Sequence, residues 1–301
     1  MTGQRSFARF AWGVLAYNIF VVVWGAFVRA TGSGAGCGNH WPMCNGQVVP
    51  RAPQLATLIE FAHRATSGID LIAIVILVVW AFRAYPKGHR VRLGAALSGF
   101  FIVTEALIGA GLVLFEHVAK NASTARAFSL SIHLMNTFTL LAVLALTAWW
   151  ASGGAPISPR PAYRGLLIAA LAGLVVLGIS GAITALGDTL FPVTSLSAGF
   201  SQDFSPTAHL FVRLRVFHPG IAIAATVFLL FAVGRVMKQS PGQGTQKLGL
   251  AVMALAFIQL MIGALNLALL APVSMQLVHL ALGDFLWIAT VLFTAEAWSR
   301  S

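Results

Sequence analysis

The stretch QLATLIEFAHRATSGIDLIAIVILVVWAF, residues 54–82, combines two opposed features. Its second half is an apolar run, whereas its first half carries Glu60, His63 and Arg64 within five positions. A helix needs about 20 predominantly apolar residues to cross the hydrocarbon core of a bilayer. The stretch therefore predicts a transmembrane helix with ionisable groups at its entrance. Such groups are costly in a membrane and usually mark a functional site.

The composition extends this prediction to the whole chain. Of the 301 residues, 58% are hydrophobic and only 9% are charged, whereas a soluble domain has about 25% charged residues. The sequence therefore predicts an all-α integral membrane protein with eight spans. They lie near residues 10–29, 61–83, 93–115, 127–150, 165–187, 214–236, 247–270 and 276–297. The first span has no clear small-residue cleavage site, so we expect it to be a retained helix rather than a signal peptide.

The net charge of +11 is distributed as expected for a membrane protein rather than for a nucleic-acid-binding protein. If the amino terminus is cytoplasmic, the inner side holds Arg5, Arg9, Arg83, Lys87, Arg90, Arg92, Arg160, Arg164, Arg235, Lys238, Lys247 and Arg300. The outer side then holds the smaller set Arg29, Arg51, Arg64, Lys120, Arg126, Arg213 and Arg215. Because basic residues are enriched in cytoplasmic loops, both termini are predicted to be cytoplasmic.

An internal repeat relates the two halves of the chain. The second span contains AHRATSGIDLIAIVIL (62–77) and the sixth FHPGIAIAATVFLL (217–230). The third and seventh contain TEALIGAGLVLF (104–115) and IQLMIGALNLAL (258–269), and the fourth and eighth contain SIHLMNTFTLLAVL (131–144) and LVHLALGDFLWIATVL (277–292). We therefore predict two pseudo-repeated four-helix bundles, residues 1–155 and 156–301. With four helices each, the two halves have the same orientation, as in a parallel repeat.

Four histidines stand at the outer entrances of the even-numbered spans: His63, His133, His218 and His279. A single histidine there could simply form an interhelical hydrogen bond, but four at matching positions predict one pair of imidazoles in each bundle. Paired imidazoles suit haem iron, and bundle cores commonly house such cofactors. Zinc or copper normally needs more ligands than two. Arg64, Arg213 and Arg215 are candidate propionate partners, or alternatively ordinary interfacial anchors.

Cys37 and Cys44 are the two cysteines, and both lie in the glycine-rich stretch GSGAGCGNHWPMCNGQ (32–47). On the predicted topology this is the first outer loop, an oxidising location in which disulfides persist. The pair could be a structural disulfide or a redox-active one that exchanges with a thiol partner. A zinc site formed with His40 is a third alternative, although it lacks a fourth ligand.

The chain resembles the heme A synthase family. The resemblance spans the whole sequence and rests on RATGSGAGCGNHWPMCNG (29–46), on IEFAHR (59–64), on the later histidines and on eight helices in two halves. It implies an oxidoreductase of the cell membrane that converts a ring methyl of haem O into the formyl group of haem A for cytochrome oxidase. It also implies heme O synthase and cytochrome oxidase assembly proteins as candidate partners, with no role for nucleic acid.

The resemblance also assigns roles to individual residues. It implies that His218 and His279 are the axial ligands of a haem b cofactor, and that His63 and His133, with Arg64, bind the substrate haem toward the outer side of the membrane. Glu60 is similar to the functional glutamate of the family. Two departures are that Pro219 follows His218 where Arg64 follows His63, and that the loop after the fifth span has no cysteines.

Glu60 and His63 are three residues apart, so they share a helix face. A carboxylate near the reacting methyl could act as a general base or stabilise a developing cation. Alternatively, Glu60 could only complement the helix dipole. The repeat with its paired histidines is also consistent with two other functions. These are a membrane electron carrier with two permanent haems and a non-catalytic haem-handling factor for oxidase assembly.

Other polar residues lie within or near the spans. Asp70 and Glu105 are either part of a proton route or hydrogen-bonded to neighbouring helices, and Asp284 has the same two interpretations. Among the histidines outside the four entrances, His209 is the candidate expected to lie nearest a haem, and no role is assigned to it.

Overall fold

A computed structural model describes residues 2–158, 163–240 and 242–299. Within these residues the chain forms ten α-helices and one short 3-10 turn, Ser33–Ala35. The helices are α1 Thr2–Ala30, α2 Leu55–Ala84, α3 Arg90–Leu114, α4 Thr124–Ala151, α5 Arg164–Leu190, α6 Leu196–Asp203, α7 Leu210–Arg215, α8 Phe217–Gln239, α9 Gln243–Ala268 and α10 Val273–Ser299. The prediction of an all-helical fold is confirmed.

Eight helical segments are long and apolar enough to cross a membrane, and they match the eight predicted spans. Seven are single helices, and the sixth, residues 210–239, consists of α7 and α8. The junction between α7 and α8 has a local cause. Pro219 has no backbone N–H, so it cannot donate to the carbonyl of Arg215, the last residue of α7. The structure adds α6, a short helix that the apolar pattern did not predict.

Helix contacts arrange the spans around a central pair. Helix α1 contacts α2 and α4, and α3 contacts both α2 and α4, which closes one ring of four helices. A second ring is closed by α5, α8, α9 and α10. The rings meet where α4 and α10 pack together, with the Trp287 indole stacked on the Phe138 ring at 4.9 Å and donating to the Phe138 carbonyl at 2.7 Å. These two helices are the most buried of the spans.

The outward faces of the peripheral helices are apolar. In α2 the exposed side chains include Ile69, Ile72, Val75, Ile76 and Val79. In water such a surface would be an aggregation hazard, but in a bilayer it is the surface that the acyl chains cover. The fold is therefore that of a multi-pass membrane protein.

The structure leaves three sequence predictions untested. These are the repeat relationship between the halves, the domain limits 1–155 and 156–301, and the cytoplasmic location of the termini. Arg160 and Arg300, which contribute to the predicted inner positive charge, lie outside the described residues.

Candidate functional site

The four histidines of the predicted pairs lie near the amino-terminal ends of four spans. His63 is in α2, His133 in α4, His218 in the first turn of α8 and His279 in the second turn of α10. His63 and His133 lie in helices of the first ring, and His218 and His279 lie in helices of the second. The structure thus places the two histidines of each predicted pair in the same ring of helices.

Each imidazole packs against a glycine of a neighbouring helix. A Cβ atom at Gly25 would lie 3.0 Å from Cε1 of His63, and one at Gly109 would lie 3.9 Å from Cε1 of His133. A Cβ atom at Gly181 would lie 3.1 Å from Cε1 of His218, and one at Gly263 would lie 2.9 Å from Cε1 of His279. A side chain would crowd the ring at three of these positions, so glycine is needed there for the close approach of the imidazole. These contacts fix the place of each ring within its bundle.

The four rings differ in the surroundings of Nδ1 and agree in those of Nε2. The Nδ1 atom of His218 lies 2.9 Å from the Ser180 hydroxyl, and that of His133 lies 3.4 Å from Oε1 of Glu105. The Nδ1 atoms of His63 and His279 are buried without a hydrogen-bond partner. Within the described ranges no hydrogen bond uses an Nε2 atom of these rings. A metal-ligating histidine typically binds through one nitrogen and donates from the other. His218 has this arrangement, and the Nε2 atoms of all four rings are free of protein hydrogen bonds within the described residues, so the four imidazoles fit haem iron.

Glu60 is buried in the second turn of α2, with 3% of the residue exposed. Its Oε2 accepts a hydrogen bond of 2.8 Å from the backbone N–H of Cys37, and its Oε1 accepts one of 2.6 Å from Nη2 of Arg64. The carboxylate therefore has both an ion-pair partner and a backbone donor. This fixes its position more firmly than an acid that only complements the helix dipole.

Arg64 joins the same carboxylate to the first outer loop. Its Nη1 atom donates to the carbonyls of His40 at 2.7 Å and Met43 at 2.8 Å, while Nε and Nη2 donate to Glu60. The guanidinium therefore joins the Glu60 carboxylate of α2 to the backbone of the first outer loop. Its predicted contact with a haem propionate remains untested.

Cys37 and Cys44 form a disulfide and are buried, with a Cα–Cα distance of 4.4 Å. The prediction of a disulfide is thereby supported, and the alternative of a zinc site with His40 is wrong because both sulfurs are bonded to each other. The hydrogen bond from the Cys37 N–H to Glu60 places this disulfide directly beside the entrance of α2. The choice between a structural and a redox-active disulfide stays a prediction.

The outer arginines differ in their surroundings. Arg215 is buried and donates to Asp203 in α6 at 2.6 Å and to Asp188 in α5 at 3.2 Å, so its charge is already matched by two carboxylates. Arg213 is exposed. Sequence reasoning missed Arg29, which donates from α1 to Thr189 in α5 and to Gln276 in α10. Arg29 thereby connects helices of the two rings.

The remaining acids behave in different ways. Asp70 is fully buried and accepts a hydrogen bond from Asn18 in α1, so its interpretation as an interhelical hydrogen bonder is supported. Asp284 is buried with neither carboxylate oxygen hydrogen-bonded within the described residues. His209 caps α7 by accepting from the Phe211 N–H, and it stacks on Phe191. His209 therefore has a structural role at the start of that helix.

Comparison with known proteins places the chain in a family. The model of the COX15-CtaA family, described as cytochrome oxidase assembly protein, matches residues 8–291. A protein from Thermus thermophilus named protoheme IX farnesyltransferase is 50% identical over 295 residues, which are 97% of this chain and 48% of that protein.

Proteins named heme A synthase also match. The one from Halalkalibacterium halodurans is 35% identical over 158 residues, 51% of each chain. The one from Geobacillus kaustophilus is 38% identical over 145 residues, 48% of this chain and 43% of that one. The chain thus spans about half the length of the relatives it matches. Because the family model covers nearly all of the chain, the chain belongs to the COX15-CtaA family of cytochrome oxidase assembly proteins.

Proposed function

We propose that this chain is a heme A synthase, which oxidises a ring methyl of haem O to a formyl group. The observation that carries the proposal is the buried carboxylate of Glu60, three residues before His63 on the same helix. A haem held by His63 would bring its edge close to a fixed acid. The family membership and the relatives named heme A synthase support the same activity.

The two histidine pairs are proposed to hold different haems. We assign the substrate haem O to His63 and His133, with Arg64 near its propionates, and a haem b cofactor to His218 and His279. The sequence repeat supports this division, because the position of Glu60 in the first half is taken by Arg215 in the second. A carboxylate three residues before the predicted haem ligand therefore occurs at this repeat position only in the first half. When bound, haem b supplies a one-electron redox centre beside the substrate site.

The reaction can be written as two successive hydroxylations. In each round a C–H bond of the methyl group is broken and a C–O bond forms with the oxygen of one water molecule, so two protons are released and two electrons pass to an external electron acceptor. The first round gives the hydroxymethyl group and the second gives a gem-diol, which loses water to the aldehyde. Glu60 can accept one of these protons or stabilise positive charge that develops on the carbon. General bases typically contribute about 10²–10⁴-fold.

The farnesyltransferase name is not carried over to this chain. It belongs to a protein of which about half lies outside the alignment. The part of this chain that matches it includes the four histidines and Glu60 of this chain, which suit haem binding and oxidation. We further propose that the chain lies in the cell membrane with its haem sites toward the outer side. Heme O synthase and cytochrome oxidase assembly proteins are its proposed partners.

The experiment that tests this function is haem analysis of cells with and without the chain. Haems are extracted from one strain that makes haem O and one that makes only haem B, and are identified by chromatography and mass. A heme A synthase yields haem A in the first strain and no farnesylated haem in the second. Unmodified haems in both strains would favour an electron carrier or a non-catalytic assembly factor, whereas haem O in the second strain would indicate farnesyl transfer.

A separate measurement tests the cofactor site. His218→Ala and His279→Ala are each expected to lose the tightly bound low-spin haem, because one imidazole does not replace two axial ligands. His63→Ala should retain it. A purified His279→Ala protein with the low-spin spectrum at full occupancy would contradict the assignment.

A further inference from the structure

Glu105 of α3 lies beside the Nδ1 atom of a predicted haem ligand, His133. Its Oε1 atom is 3.4 Å from Nδ1 of His133 in α4, and both side chains are partly buried. The distance is longer than a strong hydrogen bond, and a small rotation of the His133 ring would close it. Nδ1 of His133 has no hydrogen-bond partner elsewhere in the described part of the chain. The carboxylate is therefore the acceptor available to this ring.

A set of donors holds the Glu105 carboxylate in place. The Asn136 amide donates to Oε2 at 2.5 Å, and the Thr137 hydroxyl donates to Oε1. Asn136 is itself fixed, because its Oδ1 accepts from the Thr104 hydroxyl at 2.7 Å. Together Thr104, Glu105, Asn136 and Thr137 form a polar quartet between α3 and α4. A carboxylate held in this way keeps one orientation toward His133.

The second half has no counterpart of this quartet at the positions that the sequence repeat aligns with it. Those positions hold Ile258, Gln259, Leu282 and Gly283, in place of Thr104, Glu105, Asn136 and Thr137 respectively. The amide of Gln259 donates to the backbone carbonyl of His279 at 3.0 Å, and Nδ1 of His279 has no hydrogen-bond partner. The carboxylate and its supporting donors are thus confined to the half that carries Glu60.

We propose that Glu105 is a positioning residue of the substrate-haem site, which accepts the Nδ1 proton of His133 and so directs Nε2 of that ring to the haem iron. The inference rests on the proposed function, because it takes haem O to be bound by His133. A carboxylate acceptor increases the basicity of a ligating imidazole. The iron of the first-half haem then receives more electron density, which favours its ferric state and lowers its reduction potential relative to a site with a neutral acceptor.

The test compares the two haems within one protein. Purified wild type and Glu105→Gln are titrated anaerobically with haem O, and each haem is characterised by occupancy, reduction potential and the iron–imidazole vibration in resonance Raman spectra. His63→Ala identifies which signals belong to the first half. We expect Glu105→Gln to raise the reduction potential of the first-half haem, weaken its iron–imidazole vibration and lower its haem affinity by about 10–100-fold, with the second-half haem unchanged.

Two further variants separate this role from packing. Thr137→Val removes a donor to the carboxylate and leaves it a stronger acceptor, so the first-half reduction potential should fall, opposite in sign to Glu105→Gln. Ser180→Ala removes the hydroxyl beside Nδ1 of His218, so it should change only the second-half haem.

The outcomes distinguish this inference from the proposed function. Wild-type protein that takes no haem at the first pair overturns both. Wild-type protein that binds haem there, with an unchanged potential and vibration in Glu105→Gln, overturns only the role of Glu105. If Glu105→Gln binds too little haem to measure, the test rests on the reduction potential of the first-half haem in Thr137→Val. A reduction potential that rises or stays unchanged in Thr137→Val contradicts the proposal.

Discussion

The Glu60 carboxylate accepts a hydrogen bond of 2.8 Å from the backbone N–H of Cys37, which joins the entrance of α2 to the disulfide loop. The two residues are 23 positions apart in sequence, yet both are buried. The loop therefore forms part of the surroundings of the proposed catalytic acid. Because a backbone N–H makes this contact, the contact does not require the Cys37 sulfur.

Removing the disulfide tests whether the bond is structural or redox-active. Cys37→Ser with Cys44→Ser should lower the free energy of unfolding by about 2–3 kcal/mol, because the unfolded chain loses a closed loop. Thermal unfolding of the purified variant and its haem A output per folded molecule are measured together. A structural disulfide predicts lower thermal stability with most of the turnover per folded molecule retained. Unchanged stability with turnover abolished would instead support the redox-active alternative.

Arg64 is expected to contribute to stability as well as to haem binding. Arg64→Met keeps much of the side-chain volume but leaves the buried Glu60 carboxylate without its cation, and breaking such a pair typically costs about 3–5 kcal/mol. The midpoint of thermal unfolding should therefore fall in haem-free protein. Arg51→Met is the matched control, because Arg51 is exposed and its side chain makes no ion pair within the described residues. Equal midpoints for the two variants would limit Arg64 to a role in ligand binding.

The glycine contacts give a prediction with a control in the same helix. Gly181→Ala places a methyl group 3.1 Å from Cε1 of His218, whereas Gly173→Ala in α5 meets nothing within 4 Å. Both changes raise helix propensity by the same amount, up to about 1 kcal/mol. Only Gly181→Ala should therefore lower the occupancy of the proposed haem b site, measured by the pyridine haemochrome assay. Full occupancy in both variants would show that the close approach of the ring is not required.

The sequence predicted the spans well but the contacts between them poorly. Long apolar runs identify eight crossings because a bilayer imposes length and composition together. Helix α6 was missed because eight residues with mixed polarity, Leu196–Asp203, carry no such signal. The contact of Glu60 with Cys37 could not be predicted, since it depends on how the loop folds back onto α2. The glycine contacts did have a signal, because GA at 25–26 and 181–182 and IGA at 108–110 and 262–264 recur in the repeat.

The candidate site was likewise predicted in part: the sequence indicated which residues belong to it but not what surrounds them. Their pairing into His63 with His133 and His218 with His279 followed from the repeat. The different surroundings of the rings could not be predicted from the repeat. Ser180 contacts His218 from a neighbouring helix, 38 positions away in sequence, and Glu105 contacts His133 from another, 28 positions away. Similarly, Arg215 was a candidate propionate ligand until the structure showed it bound to Asp188 and Asp203.

The central claim is that Glu60 assists the oxidation of a haem held by His63, and Glu60→Gln tests it most directly. Glutamine keeps the size of the side chain and an acceptor for the Cys37 N–H, but it removes the charge and the basicity. Haem content and haem type are measured together in cells that make haem O, with His63→Ala as the comparison that loosens the substrate haem itself. Glu60→Gln should retain haem b and bind haem O, while haem A formation falls by about 10²–10⁴-fold and haem O or its hydroxymethyl form accumulates. Wild-type amounts of haem A from Glu60→Gln would contradict the claim and leave Glu60 as the anchor of the disulfide loop.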